Sequence, residues 1–289
     1  MNKKITILIT GIMILTITMT GCQEPTNNQT NSTATPHEED LRLTSIDLLG
    51  GKYKTCILKE EVFLNSIWSD THRYSIVYQK NNEKYIGFYS AYMKPALEAI
   101  KVNTSEDTTV LCWWRYGHMI EGYSERNAIT TFPSKTTKDE WIKYLLDDRW
   151  IRDFTLKWAS NETITDIAKM LTTTNITNNE TRELIEKYNI SYILVHGGKQ
   201  CIENYEIMES LEDITESEYV VKIGEDQYQW TDKVNETLLF RMWDGGYYFN
   251  ENRTQLYLNI PIIYGLELNY ISSPYITTPC ENTRIYKIL

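Results

Sequence analysis

The chain has 289 residues, 42% hydrophobic and 24% charged, a balance typical of folded proteins rather than disordered ones. Its net charge of −10 and the lack of a basic stripe argue against nucleic acid as a partner, because phosphate binding requires clustered Lys and Arg. The 21 Tyr and 8 Trp suit β-rich packing and, equally, surfaces that contact peptides or carbohydrates, since these side chains join a flat apolar body to a polar tip.

The first 22 residues resemble the signal of an exported lipoprotein. Lys3 and Lys4 precede an apolar stretch at residues 5–19, which is shorter than the ~20 residues of a membrane span, and small residues then lead into Cys22. We expect Cys22 to become a lipidated N terminus; the alternative is an uncleaved anchor helix. Both place the rest of the chain on the outer face of the cytoplasmic membrane. The polar residues 23–40 predict a flexible tether.

Residues 41–90 predict a β-rich N-terminal segment. Short runs of β-branched and aromatic residues alternate with polar ones, and Asn81, Asn82 and Glu83 between two runs indicate a hairpin turn. From residue 91 the apolar spacing becomes helical, and a strand is predicted over residues 108–114. The change from strands to a helix followed by a strand favours an α/β arrangement.

The middle of the chain predicts further helices and one buried strand. A polar cap at Asn178 or Asn179 marks the start of one helix, and the apolar run at residues 191–198 ends in two glycines, as a buried strand does. The helical segments are residues 92–103, 138–158, 163–173, 178–190 and most of 201–218. From residue 218 onwards we predict strands, including one at residues 236–243. The fold class is therefore α/β, with a mixed α/β core over residues 91–243 and a β-rich C-terminal segment over 244–289.

Four cysteines follow Cys22, and an even number in an exported chain permits two disulfides in any of three pairings, or buried free thiols. They are Cys56, Cys112, Cys201 and Cys280. Their wide spacing does not match the close pairs of a zinc site, so we expect no metal bound through cysteine. We also predict no metal site elsewhere and no cofactor.

Nine N-x-S/T sequons occur, and a chain rich in Asn and Thr produces several by chance. Their asparagines are Asn28, Asn31, Asn103, Asn161, Asn175, Asn179, Asn189, Asn235 and Asn252. No standard catalytic signature is present, and we predict no catalytic residue. His118 and His196 are candidate site residues for which a structural role is the favoured interpretation.

Two adjacent tryptophans at residues 113 and 114 begin the segment WWRYG. The run TVLCWWRYGHMIEG, residues 109–122, resembles the WWDYG region of the catalytic subunit of oligosaccharyltransferase. Residues 96–111 resemble the family's approach to that motif, and residues 161–171 and 180–198 resemble later segments in the same order. The similarity runs over residues 92–243 and implies the fold of that enzyme's outer-face domain.

In that family the two tryptophans and the aspartate bind the hydroxyl of an acceptor Ser or Thr. The resemblance implies that Trp113, Trp114 and Arg115 line the corresponding pocket, with Tyr116 and Gly117 completing the motif. Arg115 departs from the pattern, because a guanidinium has only donors and cannot accept the hydroxyl proton. An arginine can instead pair with a carboxylate, such as a peptide C terminus, an acidic side chain or a uronic acid.

A second element of that family, a short helix behind the pocket, has its counterpart at residues 201–209. There Cys201 and Asn204 replace the usual pair, and Met208 matches a frequent methionine. The family's metal-binding acidic residues belong to a multi-span membrane domain, and no such segment follows here.

The sequence allows two interpretations of the motif. In the first, the two tryptophans pack in the core and Arg115 forms a salt bridge with Glu121 or Glu125. The other is binding of a peptide, a glycan or a membrane glycosyltransferase. The hypotheses for function are a membrane-anchored binding protein that assists protein N-glycosylation, a component of a glycosyltransferase active only with a membrane partner, or a structural envelope glycoprotein.

Overall fold

The computed structural model describes residues 42–49, 53–64, 67–134, 154–199, 201–211, 218–223, 228–249, 256–272 and 282–289. The predicted leader, Cys22, the tether and Cys280 lie outside these ranges. The predicted helix over residues 138–158 also lies outside them except for residues 154–158, which are not helical.

The described elements alternate between antiparallel hairpins and α/β units. The helices are α1 (Lys94–Asn103), α2 (Trp114–Met119), α3 (Asn161–Thr172), α4 (Asn179–Tyr188), α5 (Ile202–Glu209) and α6 (Leu238–Met242). The strands are β1 (Arg42–Leu49), β2 (Lys54–Leu64), β3 (Ile67–Lys80), β4 (Glu83–Phe88), β5 (Thr109–Leu111), β6 (Asn127–Ala128), β7 (Ile190–His196), β8 (Val220–Lys222), β9 (Tyr228–Trp230), β10 (Gly246–Phe249), β11 (Leu256–Asn259), β12 (Leu266–Ile271) and β13 (Thr283–Ile288). This mixture confirms the predicted α/β class.

The N-terminal strands β1 to β4 form an antiparallel sheet in chain order. The turn between β3 and β4 has φ of 53° at Asn81 and 64° at Asn82. Two successive left-handed residues match the right-handed twist of a hairpin, and Asn tolerates that conformation better than most residues. The predicted hairpin turn is confirmed.

The central sheet has five strands in the order β12-β13-β7-β5-β6. Its strand β5 is parallel to β6 and β7, whereas β13 is antiparallel to β7 and β12. Strands β12 and β13 belong to the C-terminal segment, so this sheet extends beyond residues 91–243. One cluster of buried side chains includes Ile57 of the first sheet, Val110 of the second and Tyr286 of β13.

The predicted helices α1, α3 and α4 are confirmed, and their caps explain where two of them begin. Ser160 Oγ accepts a hydrogen bond from Thr163 N at 3.0 Å at the start of α3. Asn178 Oδ1 accepts one from Thr181 N at 2.7 Å at the start of α4, which identifies Asn178 as the cap. Each cap satisfies an amide that has no partner within its own helix.

The strand predicted at residues 236–243 is wrong, because this segment contains α6. Thr237 caps the helix by accepting from Phe240 N at 3.4 Å, and the apolar run Leu238–Met242 forms the helix itself. A short apolar run fits a buried strand and a buried helix equally well, so its periodicity alone did not distinguish them. Among the described residues, no helix is both long and apolar enough to cross a membrane.

Candidate functional site

The WWRYG segment and helix α5 follow neighbouring parallel strands. Cys112 and Trp113 come directly after β5, and His196 ends β7 shortly before α5. Because β5 and β7 are parallel, their carboxyl ends meet at the same edge of the sheet. Crevices at such edges are the usual ligand sites of α/β folds. Trp113 has extended backbone angles, φ −64° and ψ 146°, and turns the chain from β5 into α2.

Both tryptophans are buried. Trp113 is 3% exposed and Trp114 is 8% exposed, and their ring centroids lie 6.5 Å apart. Trp113 Nε1 donates a hydrogen bond to Glu206 Oε2 at 2.9 Å. The guanidinium carbon of Arg115 lies 5.0 Å from the centroid of the Trp114 ring, within the range of a cation–π contact. The pair therefore forms the floor of the site rather than an open aromatic platform.

Arg115 pairs with Glu206 of α5. Its Nε donates to Glu206 Oε2 at 3.3 Å, and its Nη2 donates to Oε1, which makes the interaction bidentate. The side chains of Arg115 and Glu206 are 34% and 27% exposed, so the ion pair is half-buried, whereas the two indoles are buried. We call Trp113, Trp114, Arg115 and Glu206 the WWR–Glu206 site.

The predicted alternative partners of Arg115 are wrong. Glu121 lies 3.3 Å from Lys80 Nζ, and Glu125 lies 3.4 Å from Lys101 Nζ. Both glutamates are near Arg115 in sequence but not in the fold. After α2 the chain continues as a π-helix over residues 120–124, which carries them towards β3 and α1 instead.

Glu206 is a site residue that the sequence did not predict. It supplies a carboxylate at the WWRYG segment from another helix, α5. A carboxylate has acceptor sites for about four hydrogen bonds. Trp113 and Arg115 occupy three of them, and no other donor from the described residues reaches the half-buried Glu206 side chain. The sequence did contain a signal for this contact. Glu206 is an acidic residue within residues 201–209, the segment that resembles the family's pocket helix, and its charge complements that of Arg115.

Tyr116 and Gly117 lie behind this surface. The Tyr116 ring is 3% exposed and contacts the His196 ring edge-on, with centroids 5.2 Å apart. Its buried hydroxyl has no hydrogen-bond partner in the described structure, and burial raises the pKa of Tyr116 well above its ordinary value. At Gly117 an added Cβ would lie 2.1 Å from the carbonyl oxygen of Thr130. These two residues fix the backbone of the motif by packing.

The other residues predicted on the second element are also internal. Met208 is fully buried at 0% exposure, and Asn204, 3% exposed, donates from Nδ2 to Gly198 O at 2.8 Å. Cys201, 4% exposed, precedes the first residue of α5. The structure thus brings Met208 to the core beneath α5, while Glu206 of the same helix meets the motif.

The two candidate histidines are buried or nearly so. His118 is 1% exposed, its Nδ1 lies 3.1 Å from the Tyr78 hydroxyl, and burial lowers its pKa to about 3. His196 Nδ1 lies 2.8 Å from the Thr283 hydroxyl, and burial lowers its pKa to about 4. Both are neutral at pH 7, as expected for structural histidines.

Cys56 and Cys112 are free thiols. Burial raises the pKa values of Cys56 and Cys112, which keeps them protonated. At these two positions the structure contains free thiols, one of the two possibilities left open by the sequence. In the described part of the chain, no group of three or more His, Cys, Asp or Glu side chains is placed to hold a metal ion.

Two solved structures similar to this chain are both C-terminal globular domains of oligosaccharyltransferase from Archaeoglobus fulgidus. The first, an AglB domain, is 17% identical, with a TM-score of 0.39, over 70% of this chain and 99% of the domain. The second is 15% identical, with a TM-score of 0.33, over 70% of this chain and 97% of that domain. No family model matches the chain, and no curated protein matches it.

Proposed function

We propose that this chain is a binding protein that recognises a hydroxyl-bearing peptide or glycan at the WWR–Glu206 site. The observation that carries the proposal is the Glu206 carboxylate, held next to the Trp113 indole with one acceptor site that no described residue occupies. A Ser, Thr or sugar hydroxyl donates to such an oxygen at a distance of about 2.7 Å. The resemblance of residues 92–243 to the oligosaccharyltransferase family supports this ligand class.

The ion pair favours a neutral ligand over an anionic one. Arg115 directs two N–H groups at Glu206, and the two side chains together carry no net charge. A second carboxylate at the site would therefore face Glu206 without an unpaired cation to balance it. This geometry favours a hydroxyl over the peptide C terminus or uronic acid that Arg115 by itself suggests.

The ligand surface is preorganised. The Glu206 side chain is fixed by three hydrogen bonds, and Trp113 beneath it is buried. A rigid acceptor loses little conformational entropy when a ligand binds, which improves affinity without additional contact area. Binding in this proposal needs no rearrangement of the motif.

The chain acts, in this proposal, at the outer face of the cytoplasmic membrane, where it assists protein N-glycosylation. The leader ending at Cys22 and the polar residues 23–40 supply the anchor and the tether. The glycosyl transfer itself is assigned to a membrane partner, because position 115 bears a guanidinium where the family has its carboxylate.

Isothermal titration calorimetry of the full-length chain in detergent tests the binding role. The probes are a peptide containing Asn-Ala-Thr, a matched peptide containing Asn-Ala-Val, which has the same shape but no hydroxyl, and a neutral oligosaccharide. We expect binding of the Thr peptide or the oligosaccharide, and weakening by about tenfold for Glu206→Gln, as expected for loss of one charge-assisted hydrogen bond.

Glu83→Gln is the matched control, because it alters the exposed Lys157–Glu83 ion pair and leaves the motif unchanged. Equal affinity of wild type and Glu206→Gln, or no binding of any of the three probes, would contradict the proposal. Co-purification with a multi-span glycosyltransferase, without binding of the free probes, would instead favour the partner-dependent hypothesis.

A further inference from the structure

The sequons differ in their structural setting. Six have described asparagines, and these sit at the end of α1 (Asn103), at the first residues of α3 and α4 (Asn161, Asn179), between α4 and β7 (Asn189), in a 3-10 turn (Asn235) and between α3 and α4 (Asn175). Within the described ranges, Asn175-Ile176-Thr177 is the sequon whose three residues all lie outside helices and strands.

Asn175 begins a hydrogen-bonded turn. The amide of Asn178 donates to Asn175 O at 3.2 Å, which closes a β-turn over residues 175–178. The side-chain oxygen Asn175 Oδ1 accepts from Thr177 N at 3.0 Å and from the Thr177 hydroxyl at 2.8 Å. Both acceptor contacts fall on Oδ1, and Asn175 Nδ2 donates to nothing in the described structure. The side chain is exposed.

The turn is held to the body of the protein on both sides. Ile176 is buried at 4% exposure. Before it, Leu238 N donates to Thr173 O at 2.7 Å, and Arg241 Nη1 donates to Thr174 O at 3.0 Å. These anchors present the Asn175 amide nitrogen to solvent in one conformation, on a loop that an enzyme can reach without unfolding a helix.

We propose that Asn175 is an N-glycosylation acceptor of this protein. The donor is a glycosyl phosphate or diphosphate. Asn175 Nδ2 forms a bond to the anomeric carbon, the bond from that carbon to the phosphate oxygen breaks, and its electron pair leaves with the phosphate. The proton lost from Nδ2 passes to a base of the transferase. The Thr177 hydroxyl polarises the amide through Oδ1, which makes the nitrogen proton easier to remove.

The neighbouring sequon at Asn179 provides an internal comparison. Asn179 is the first residue of α4, and its Thr181 is 4% exposed, with its amide bonded to Asn178. Its hydroxyl is therefore hidden from an approaching enzyme in the folded chain. We assign the glycan to Asn175 and not to Asn179. The assignment requires export of the chain but is independent of the WWR–Glu206 site.

Mass spectrometry of the full-length protein from its native host tests the assignment. Trypsin releases residues 170–182, which contain both Asn175 and Asn179, and electron-transfer fragmentation distinguishes the two sites. We expect a glycan mass on Asn175, its loss in Asn175→Asp and Thr177→Val, and its retention in Asn179→Gln. Asn175→Asp keeps the Oδ1 acceptor of the turn and so separates loss of the amide from misfolding.

An unmodified 170–182 peptide, or a glycan on Asn179 alone, overturns the assignment. Retention of the glycan in Thr177→Val would also overturn it, because the hydroxyl would then have no part in the reaction. Peptide or oligosaccharide titration of the Asn175→Asp protein is expected to match wild type, so failure of this assignment is distinguishable from failure of the binding role.

Discussion

Replacing Glu206 with Ala removes the acceptor for Trp113 and the partner of Arg115 together. Hydrogen bonds to charged groups contribute about 1.5–3 kcal/mol when buried, whereas exposed ion pairs contribute about 0.2–1 kcal/mol. With side chains 34% and 27% exposed, the pair of Arg115 and Glu206 is intermediate between a buried and an exposed ion pair. Trp113 is only 3% exposed, so water has little access to replace the acceptor that its indole N–H loses. We therefore expect the free energy of unfolding to fall by about 2 kcal/mol.

Urea denaturation followed by tryptophan fluorescence measures this change, and a thermal melt should show the midpoint lowered by about 4–8 °C. A double-mutant cycle with Arg115→Met isolates the ion pair, for which we expect a coupling of about 1 kcal/mol. Lys169→Ala serves as control, because its pair with Glu180 is 49% and 71% exposed and its loss should change stability by less than about 0.5 kcal/mol. If Glu206→Ala costs no more than this control and the cycle is additive, the site is not held together as described.

Three further predictions concern the surrounding scaffold. Burial lowers the pKa of His118 to about 3, so the unfolded chain binds a proton that the folded chain does not. As the pH drops from about 6 to 4, His118 should lower stability by about 1.4 kcal/mol per unit, in addition to the contribution of the buried His196, and His118→Gln should reduce the slope in urea titrations by that amount. Asn178→Ala should cost about 1 kcal/mol through loss of the α4 cap, while Asn178→Asp stays within about 0.3 kcal/mol; equal losses would contradict the cap. Gly117→Ala should cost about 3 kcal/mol or prevent folding, because its Cβ would lie 2.1 Å from Thr130 O; a soluble variant with wild-type stability would disprove that contact.

The parts of the fold that could be predicted from the sequence are those with local signals. The turn at Asn81 and Asn82 and the helix beginning after Asn178 depend on side chains within a few residues of the backbone groups they satisfy. The segment at residues 236–243 lacked such a distinguishing signal. Most of its residues are apolar, which fits a buried strand as well as a buried helix, and the Thr237 side chain caps the helix that forms there.

The site shows the same division between local and distant information. The sequence identified the WWRYG segment, but the partner of Arg115 lies 91 residues away, on a helix that becomes a neighbour only because β5 and β7 pair. Spacing along the chain favours Glu121 and Glu125 as partners of Arg115, but these glutamates pair with Lys80 and Lys101 instead. The resemblance indicates Met208 on α5, and this helix does contact the WWRYG segment. The contact is made by Glu206, two residues before Met208.

The position of β7 in the central sheet has a consequence for folding kinetics. Its partner on one side is β5, and its partner on the other is β13, where His196 pairs with Thr283 across 87 residues of chain. Both pairings close long loops. The chain loses the conformational entropy of these loops before the contacts between the strands can stabilise the sheet. Until both have formed, β7 exposes an apolar edge that can pair with other chains. Substitutions that slow either closure should therefore lower the yield of folded protein even where they leave its final stability unchanged.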